Sequence, residues 1–183
     1  AAIAACRALG LAPEAIEAAL NDFPGVPGRF EAVPSDKDFT VIVDYAHTPD
    51  GLENVLKSAR ALGPQRLVVI FGCGGDRDRG KRPKMGALAA NLADRVIVTS
   101  DNPRSEDPEA IIAEILAGIP PDALAKTHTE PDRGAAIETA IADAKSGVLI
   151  VIAGKGHEDY QIFADRTIHF SDREVAEAAL RRL

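Results

Sequence analysis

The sequence predicts an α/β fold: a three-layer sandwich in which helices cover both faces of a mostly parallel sheet, with one antiparallel strand at its edge. Three observations carry this. Residues 40–43, 67–71, 96–98 and 148–152 are almost continuously apolar and rich in β-branched side chains. They lack alternation, which marks strands buried on both faces. The segments between them have helical spacing, so the order reads βαβαβαβ and calls for right-handed crossovers.

Taken in order, residues 1–23 are alanine-rich, with Ile16, Ala19, Leu20 and Phe23 on one helical face after Pro13. Pro24-Gly25-Val26-Pro27-Gly28 then reads as a linker. Residues 1–28 are therefore expected to be the tail of a preceding domain plus a linker, and residues 29–183 a domain of their own. After the first strand, Thr48-Pro49 opens a helix whose apolar face is Leu52, Val55, Leu56, Ala59 and Leu62. Pro108 opens another with Ile111, Ile112, Ile115 and Leu116. Asp132 precedes a third, carrying Ile137, Ala140, Ile141 and Ala144, which Gly147 is expected to close. Gln161-Ile162-Phe163 and Thr167-Ile168-His169-Phe170 flank Ala164-Asp165-Arg166 as a hairpin that should supply the antiparallel edge strand. Ser171 and Glu174 have the capping-box spacing at the start of the last helix.

At 183 residues, 46% hydrophobic and 27% charged, the chain is long and apolar enough for one substantial core. A net charge of −7 provides no overall positive field for nucleic acid. No apolar run approaches the roughly 18 residues of a membrane helix. Cys6 and Cys73 are too few for a disulfide framework or a multi-cysteine metal site. With no basic region or cleavage site at the start, the expectation is a reducing, cytoplasmic location without membrane partners.

The unusual residues follow the buried strands. They are Asp44-Tyr45-Ala46-His47-Thr48-Pro49, then Gly72-Cys73-Gly74-Gly75-Asp76-Arg77-Asp78-Arg79-Gly80-Lys81-Arg82, then Asp101-Asn102-Pro103-Arg104, then Gly154-Lys155-Gly156-His157-Glu158. In a parallel sheet all four emerge at the same end and can share one crevice. Arg77, Arg79, Lys81, Arg82, Arg104 and Lys155 supply positive charge there, while Asp76, Asp78, Asp101 and Glu158 supply negative charge. A lone phosphate does not need so many carboxylates. A zwitterion does: an arginine fork takes a carboxylate and an acidic side chain takes an ammonium. An amino acid is the expected ligand.

Each piece also has a plain structural reading. The glycines can merely turn the chain, and Asp44 can cap a helix. His47 can be a loop histidine, and Asp101-Asn102-Pro103 an Asx turn. Arg104 and Glu158 can be solvated surface charges. Their coincidence at one sheet edge favours the functional reading. His128 and His169 lie in strand-like segments away from these turns, and Cys73 can be a small packing residue. Gly75, Gly80 and Lys81 match the spacing of a phosphate loop, but Arg82 stands where Ser or Thr would hold magnesium. Most of any ATP site is therefore expected elsewhere.

These motifs, with Gly28-Arg29-Phe30-Glu31 and Lys81-Arg82-Pro83, resemble the C-terminal part of the Mur ligases in order and spacing. The resemblance runs from about Gly25 to Ser171 and is nearest to the members that add meso-diaminopimelate. It implies a Rossmann-like C-terminal domain that presents the incoming amino acid. Upstream domains would hold a UDP-MurNAc-dipeptide, ATP and most of the Mg2+ ligands. The chemistry implied is phosphorylation of the D-glutamyl carboxylate by ATP, followed by attack of the amino acid's amine on the acyl phosphate. By the same resemblance, Arg77, Asp101, Asn102, Pro103, Arg104, Gly154 and Glu158 match the meso-diaminopimelate site. Arg29, Asp44 and, more weakly, His47 match positions that reach ATP. No general base is assigned; His47 and His157 qualify by residue type alone. Alternatives are a related ligase for L-lysine or for folate polyglutamylation, and a non-catalytic amino-acid-binding module.

Overall fold

The computed structural model describes residues 2–183. Ala1, where the expected N-terminal segment begins, lies outside the described residues. Two helices come first, α1 (Ala2–Ala8) and α2 (Pro13–Asn21), and none of their described residues is buried. The remaining elements are β1 (Glu31–Ala32), β2 (Thr40–Asp44), α3 (Pro49–Ala61), β3 (Arg66–Phe71), α4 (Lys81–Leu92), β4 (Arg95–Val98) and α5 (Pro108–Leu116). After a 3-10 turn (Pro121–Lys126) come β5 (Thr127–Thr129), α6 (Arg133–Ala142), β6 (Val148–Ala153), β7 (Tyr160–Ile162), β8 (Thr167–His169) and α7 (Asp172–Leu180).

The main sheet has six strands in the order β1-β2-β6-β3-β4-β5. All its pairings are parallel except β1 with β2. The last long strand, β6, threads between β2 and β3, with Val151 beside both Ile42 and Val69. All six residues of β6 are buried, as a central strand requires. Along β3, Leu67, Val69 and Phe71 meet α3, α4 and α5 through Leu52, Leu56, Met85 and Ile115. The intervening Val68 and Ile70 meet α6 and α7 through Ile137, Ile141, Ala176 and Leu180. This alternation explains why the strand must be apolar at every position. Each fully buried Leu, Ile or Val contributes about 1.5–3 kcal/mol, so the two layers hold the sheet from both sides. Thr48, Asp107, Asp132 and Ser171 cap α3, α5, α6 and α7 with their side chains.

Three expectations are corrected. The antiparallel edge strand is β1, not the hairpin: Glu31 pairs with Val43 and closes the β2 edge. The hairpin β7-β8 is a separate two-stranded sheet. Its outward groups have other partners, since Ile162 N donates to Asn102 Oδ1 at 3.0 Å and Ile162 O accepts from Arg104 N at 3.0 Å. Gly147 does not close α6. That helix stops at Ala142 with Asp143 as its cap, and Gly147, at φ 76°, turns the chain into β6. A fifth parallel strand, β5, forms at the strand-like segment around His128, whose short polar sequence gave no sign that it extends the parallel sheet.

Candidate functional site

The loops after β2, β3, β4 and β6 leave one end of the sheet, and backbone approach draws them together. A Cβ on Gly75 would lie 1.9 Å from Pro103 O, and one on Gly72 would lie 2.3 Å from Thr99 O. Glycine is required at both positions because the loops after β3 and β4 touch backbone to backbone. Gly75 N donates to Asn102 O at 2.9 Å, and Ser105 Oγ donates to Asp76 Oδ1 at 2.8 Å. Asp76 and Arg104 both occupy the left-handed region, at φ 53° and 54°, held there by this zipper.

The residues expected at an amino-acid site share this rim. A Cβ on Gly74 would come 2.9 Å from Arg104 Nη1 and 3.8 Å from Arg77 Cγ, so the two arginines flank one glycine. Arg77 is exposed and donates to Asp76 O. Arg104 is half-buried and donates through Nη1 to Gly75 O and Asn102 O. Neither arginine has a carboxylate partner among the described residues. Asn102 is buried and turns its amide the other way: Nδ2 donates to Glu158 Oε2 at 3.2 Å. Pro103 is buried behind it. Asp101 is nearly buried, and its Oδ1 accepts no hydrogen bond.

Lys155, fully buried, places Nζ 3.1 Å from Asn102 Oδ1, 3.3 Å from Glu158 Oε2 and 3.5 Å from Asp101 Oδ1. Its single positive charge offsets only one of the two carboxylates, Asp101 and Glu158, from beneath, so this side of the rim stays acidic. Gly154, at φ 122°, lets β6 turn sharply into this loop, and its N donates to Asp44 O. The charge next to Tyr160 is mainly that of Glu158, which raises the phenol pKa above its ordinary value.

Arg29, Asp44 and His47 gather at the adjoining corner. Asp44 Oδ2 accepts from Phe30 N and Oδ1 from Ala46 N, both at 2.7 Å, so this carboxylate pins the start of the domain to the β2 loop. The Arg29 guanidinium stacks over the Tyr45 ring at 4.6 Å. Tyr45 in turn contacts His47 and His157, with ring centroids 4.6 and 5.3 Å away. His47 Nδ1 is 2.8 Å from Tyr45 O. No group of three or more His, Cys, Asp or Glu among the described residues is arranged to hold a metal ion.

Two of the six cations expected in the crevice face away from it. Arg82 is buried and forms ion pairs with Glu106 and Glu114, and Arg79 pairs with Glu114. Arg82 also donates to Gly74 O, so it supports the glycine loop from behind. Its hydrogen bonds, with one from Asp76 N, hold the Glu106 carboxyl down to about 2. Lys81 does not act as a phosphate-loop lysine here, since its Nζ donates to His47 O at 2.7 Å. Cys73 is packed 3.7 Å from Met85 Sδ, and burial pushes its thiol up to about 12, which leaves it protonated and inert. His128 is exposed on β5, and His169 pairs with Glu174. Sequence reasoning missed the aromatic contacts of Tyr45 and the pair Arg133–Asp172. Those two lie 39 residues apart with no local pattern joining them.

Fold and rim together define a parallel α/β domain that gathers cations and carboxylates at the strand ends. The chain matches the Mur ligase, glutamate ligase domain over residues 28–156, and it belongs to that family. It is 58% identical over 183 residues to the UDP-N-acetylmuramoyl-L-alanyl-D-glutamate–2,6-diaminopimelate ligase of Thermosynechococcus vestitus, covering 99% of this chain and 36% of that protein. The ligase of the same name from Synechococcus elongatus is 59% identical over 180 residues, covering 98% and 36%. Among solved structures, a diaminopimelate ligase of this name superposes with a TM-score of 0.80 at 41% identity, over 100% of this chain and 37% of that one. The UDP-N-acetylmuramate-alanine ligase of Thermotoga maritima, at 22% identity and a TM-score of 0.63 over 98% of this chain and 35% of that one, shares the fold. The chain thus spans little more than a third of the length of these relatives. No helix is long and apolar enough to cross a membrane among the described residues.

Proposed function

We propose that this chain is the amino-acid-presenting part of an ATP-dependent ligase that adds meso-diaminopimelate to a UDP-MurNAc-dipeptide in peptidoglycan synthesis. The observation that carries the reading is the rim itself. Arg77 and Arg104 stand beside one glycine without acidic partners among the described residues, and Asn102 links Arg104 to Glu158. A guanidinium lacking a carboxylate partner is ready for a carboxylate ligand, and Glu158 with Asp101 offers the complementary charge for an ammonium. Meso-diaminopimelate has two amino-acid centres, whereas L-lysine has only one carboxylate. Arg77, Asp101, Asn102, Pro103, Arg104, Gly154 and Glu158 form the site in this reading.

Residues 1–28 are read as the end of an upstream domain plus its linker, and residues 29–183 as the amino-acid domain. Arg29, Asp44 and His47 would meet ATP from this side, Arg29 through its charge and Tyr45 as a stacking surface. Other parts of the enzyme would hold the phosphates and Mg2+. The contribution of this domain to rate is orientation: it brings a bound amine to the activated carboxylate, converting an encounter between two molecules into a step within one complex. The names of the relatives support the substrate assignment, and a cytoplasmic location follows from the nucleotide-linked substrate.

Isothermal calorimetry tests the reading directly. Meso-diaminopimelate is expected to bind at least ten-fold more tightly than L-lysine, because the lysine complex leaves an arginine unmatched. Equal affinities would remove the specificity.

A further inference from the structure

Arg133 begins α6 and is buried beneath the rim, with 1% of its surface exposed and Nη2 3.9 Å from where a Cβ on Gly154 would lie. Its Nε and Nη2 donate to Asp172 Oδ1 and Oδ2 at 2.7 and 2.8 Å, and Asp172 is wholly buried at the start of α7. The same guanidinium has two further partners. Nη1 donates to Ser100 O at 3.2 Å, and Nη2 donates to Ala153 O at 3.1 Å. These carbonyls stand at the exits of β4 and β6, which are not neighbours in the sheet because β3 lies between them. One side chain therefore spans the end of β3 and ties together the strand ends that launch the loops 101–104 and 154–158.

We infer that Arg133, fixed by Asp172, is a positioning residue that sets the spacing between the Asp101–Arg104 loop and the Gly154–Glu158 loop, and so the fit of the rim to a small zwitterion. The inference rests on the proposed amino-acid site for its functional half. The rim's charged groups are divided between loops: Arg77, Asp101 and Arg104 are borne by the loops after β3 and β4, and Glu158 by the loop after β6. A planar group with five N–H donors can hold a carboxylate and two carbonyls at once, whereas an ammonium lacks that fixed fork. Burial disfavours the charge on Arg133, but Asp172 raises its pKa above the ordinary value, and Asp101 and Glu158 add to this from the rim. The clamp therefore stays charged and feels the same carboxylates that line the site.

A buried ion pair is often replaceable by apolar side chains without loss of stability, whereas removing one partner alone is costly. The decisive variant is therefore the double change Arg133→Met with Asp172→Leu in the 183-residue chain. It is compared with wild type by amide hydrogen exchange and by calorimetric titration with meso-diaminopimelate. Exchange in residues 100–104 and 153–158 is expected to accelerate at least ten-fold while β3 and the core of β6 keep their protection. Affinity should fall ten-fold or more. Wild-type exchange in both loops together with wild-type affinity would overturn the proposal. Arg133→Lys provides a second arm that keeps the charge. Loosening confined to the two loops supports positioning, whereas a uniform loss of protection across the sheet makes Arg133 a core pillar only and overturns it. If wild type itself binds no diaminopimelate, the amino-acid reading falls, and the exchange pattern alone decides the clamp.

Discussion

Arg82 and Glu106, 24 residues apart, meet in a two-pronged ion pair, with Nη1 2.9 Å from Oε2 and Nη2 2.8 Å from Oε1. The arginine side chain is fully buried and the glutamate one-fifth exposed, so the pair joins the interior to the rim. Glu106 Oε1 also accepts from Asp76 N at 2.6 Å. One carboxylate thereby ties α4 and the loops after β3 and β4 to one another, and it keeps an arginine read as a crevice cation out of the crevice.

This pair predicts acid sensitivity. Glu106 titrates at about 2 in the folded protein against 4.5 ordinarily, so its stabilisation is complete above pH 4.5 and is lost as pH falls toward 2. Glu106→Gln is expected to be less stable than wild type at pH 7, with the gap closing below pH 4. Urea denaturation between pH 2.5 and 7 measures it, and a gap independent of pH would contradict the assignment.

Gly75→Ala tests the backbone contact between the loops. Its new Cβ would overlap Pro103 O, so one loop must move. Overpacking of this kind costs roughly 1–3 kcal/mol, to be read as a lower urea midpoint. On the proposed function, diaminopimelate affinity should fall as well; an unchanged midpoint and affinity would mean that the loops yield freely.

The proposed function predicts that Arg104→Ala, made in a full-length protein containing this chain, raises KM for the amino acid strongly, with a loss of about 2–5 kcal/mol in kcat/KM if the bound carboxylate is buried against it. KM for ATP should change little. Steady-state kinetics with each substrate varied separately distinguish this from a nucleotide role, which would reverse the pattern.

Asp132→Ala removes the cap of α6, since its carboxylate accepts from Ala135 N at 3.0 Å. The expected loss is about 1 kcal/mol, visible as a lower Tm. Asp132→Asn should recover most of it, because the amide oxygen accepts the same bond.

Cys73 should resist alkylation in the native chain. Its thiol is buried and its pKa is about 12, so almost no thiolate exists at pH 8. Mass spectrometry after iodoacetamide should find the label on the partly exposed Cys6, and on Cys73 only once the chain is unfolded. Rapid native labelling of Cys73 would show an opening of the loop after β3.

Much of the architecture could be read directly because burial leaves a local trace. A strand covered on both faces must be apolar at every position, as 148–152 is, and a helix entrance needs its cap, as Thr48-Pro49 supplies. The hairpin's destination was not legible, because whether Ile162 bonds to a sheet edge or to Asn102 depends on partners 60 residues away. The strand-like segment around His128 could not be assigned to the sheet edge for a related reason, since an edge strand of three residues can be polar and carries no mark of its neighbour.

At the rim, the order of motifs along the chain was enough to bring the four loops to one end of a parallel sheet, because parallel strands all point the same way. It could not show which charges face the ligand. Arg77, Arg79, Arg82 and Arg104 look alike in sequence, yet Arg82 and Arg79 pair with glutamates while Arg77 and Arg104 remain without carboxylate partners among the described residues. That sorting, and the Arg133–Asp172 clamp beneath it, arises from side chains meeting across 24 to 39 residues. Periodicity and capping record a residue's immediate neighbours, whereas an ion pair's partner is chosen by the packing of whole layers.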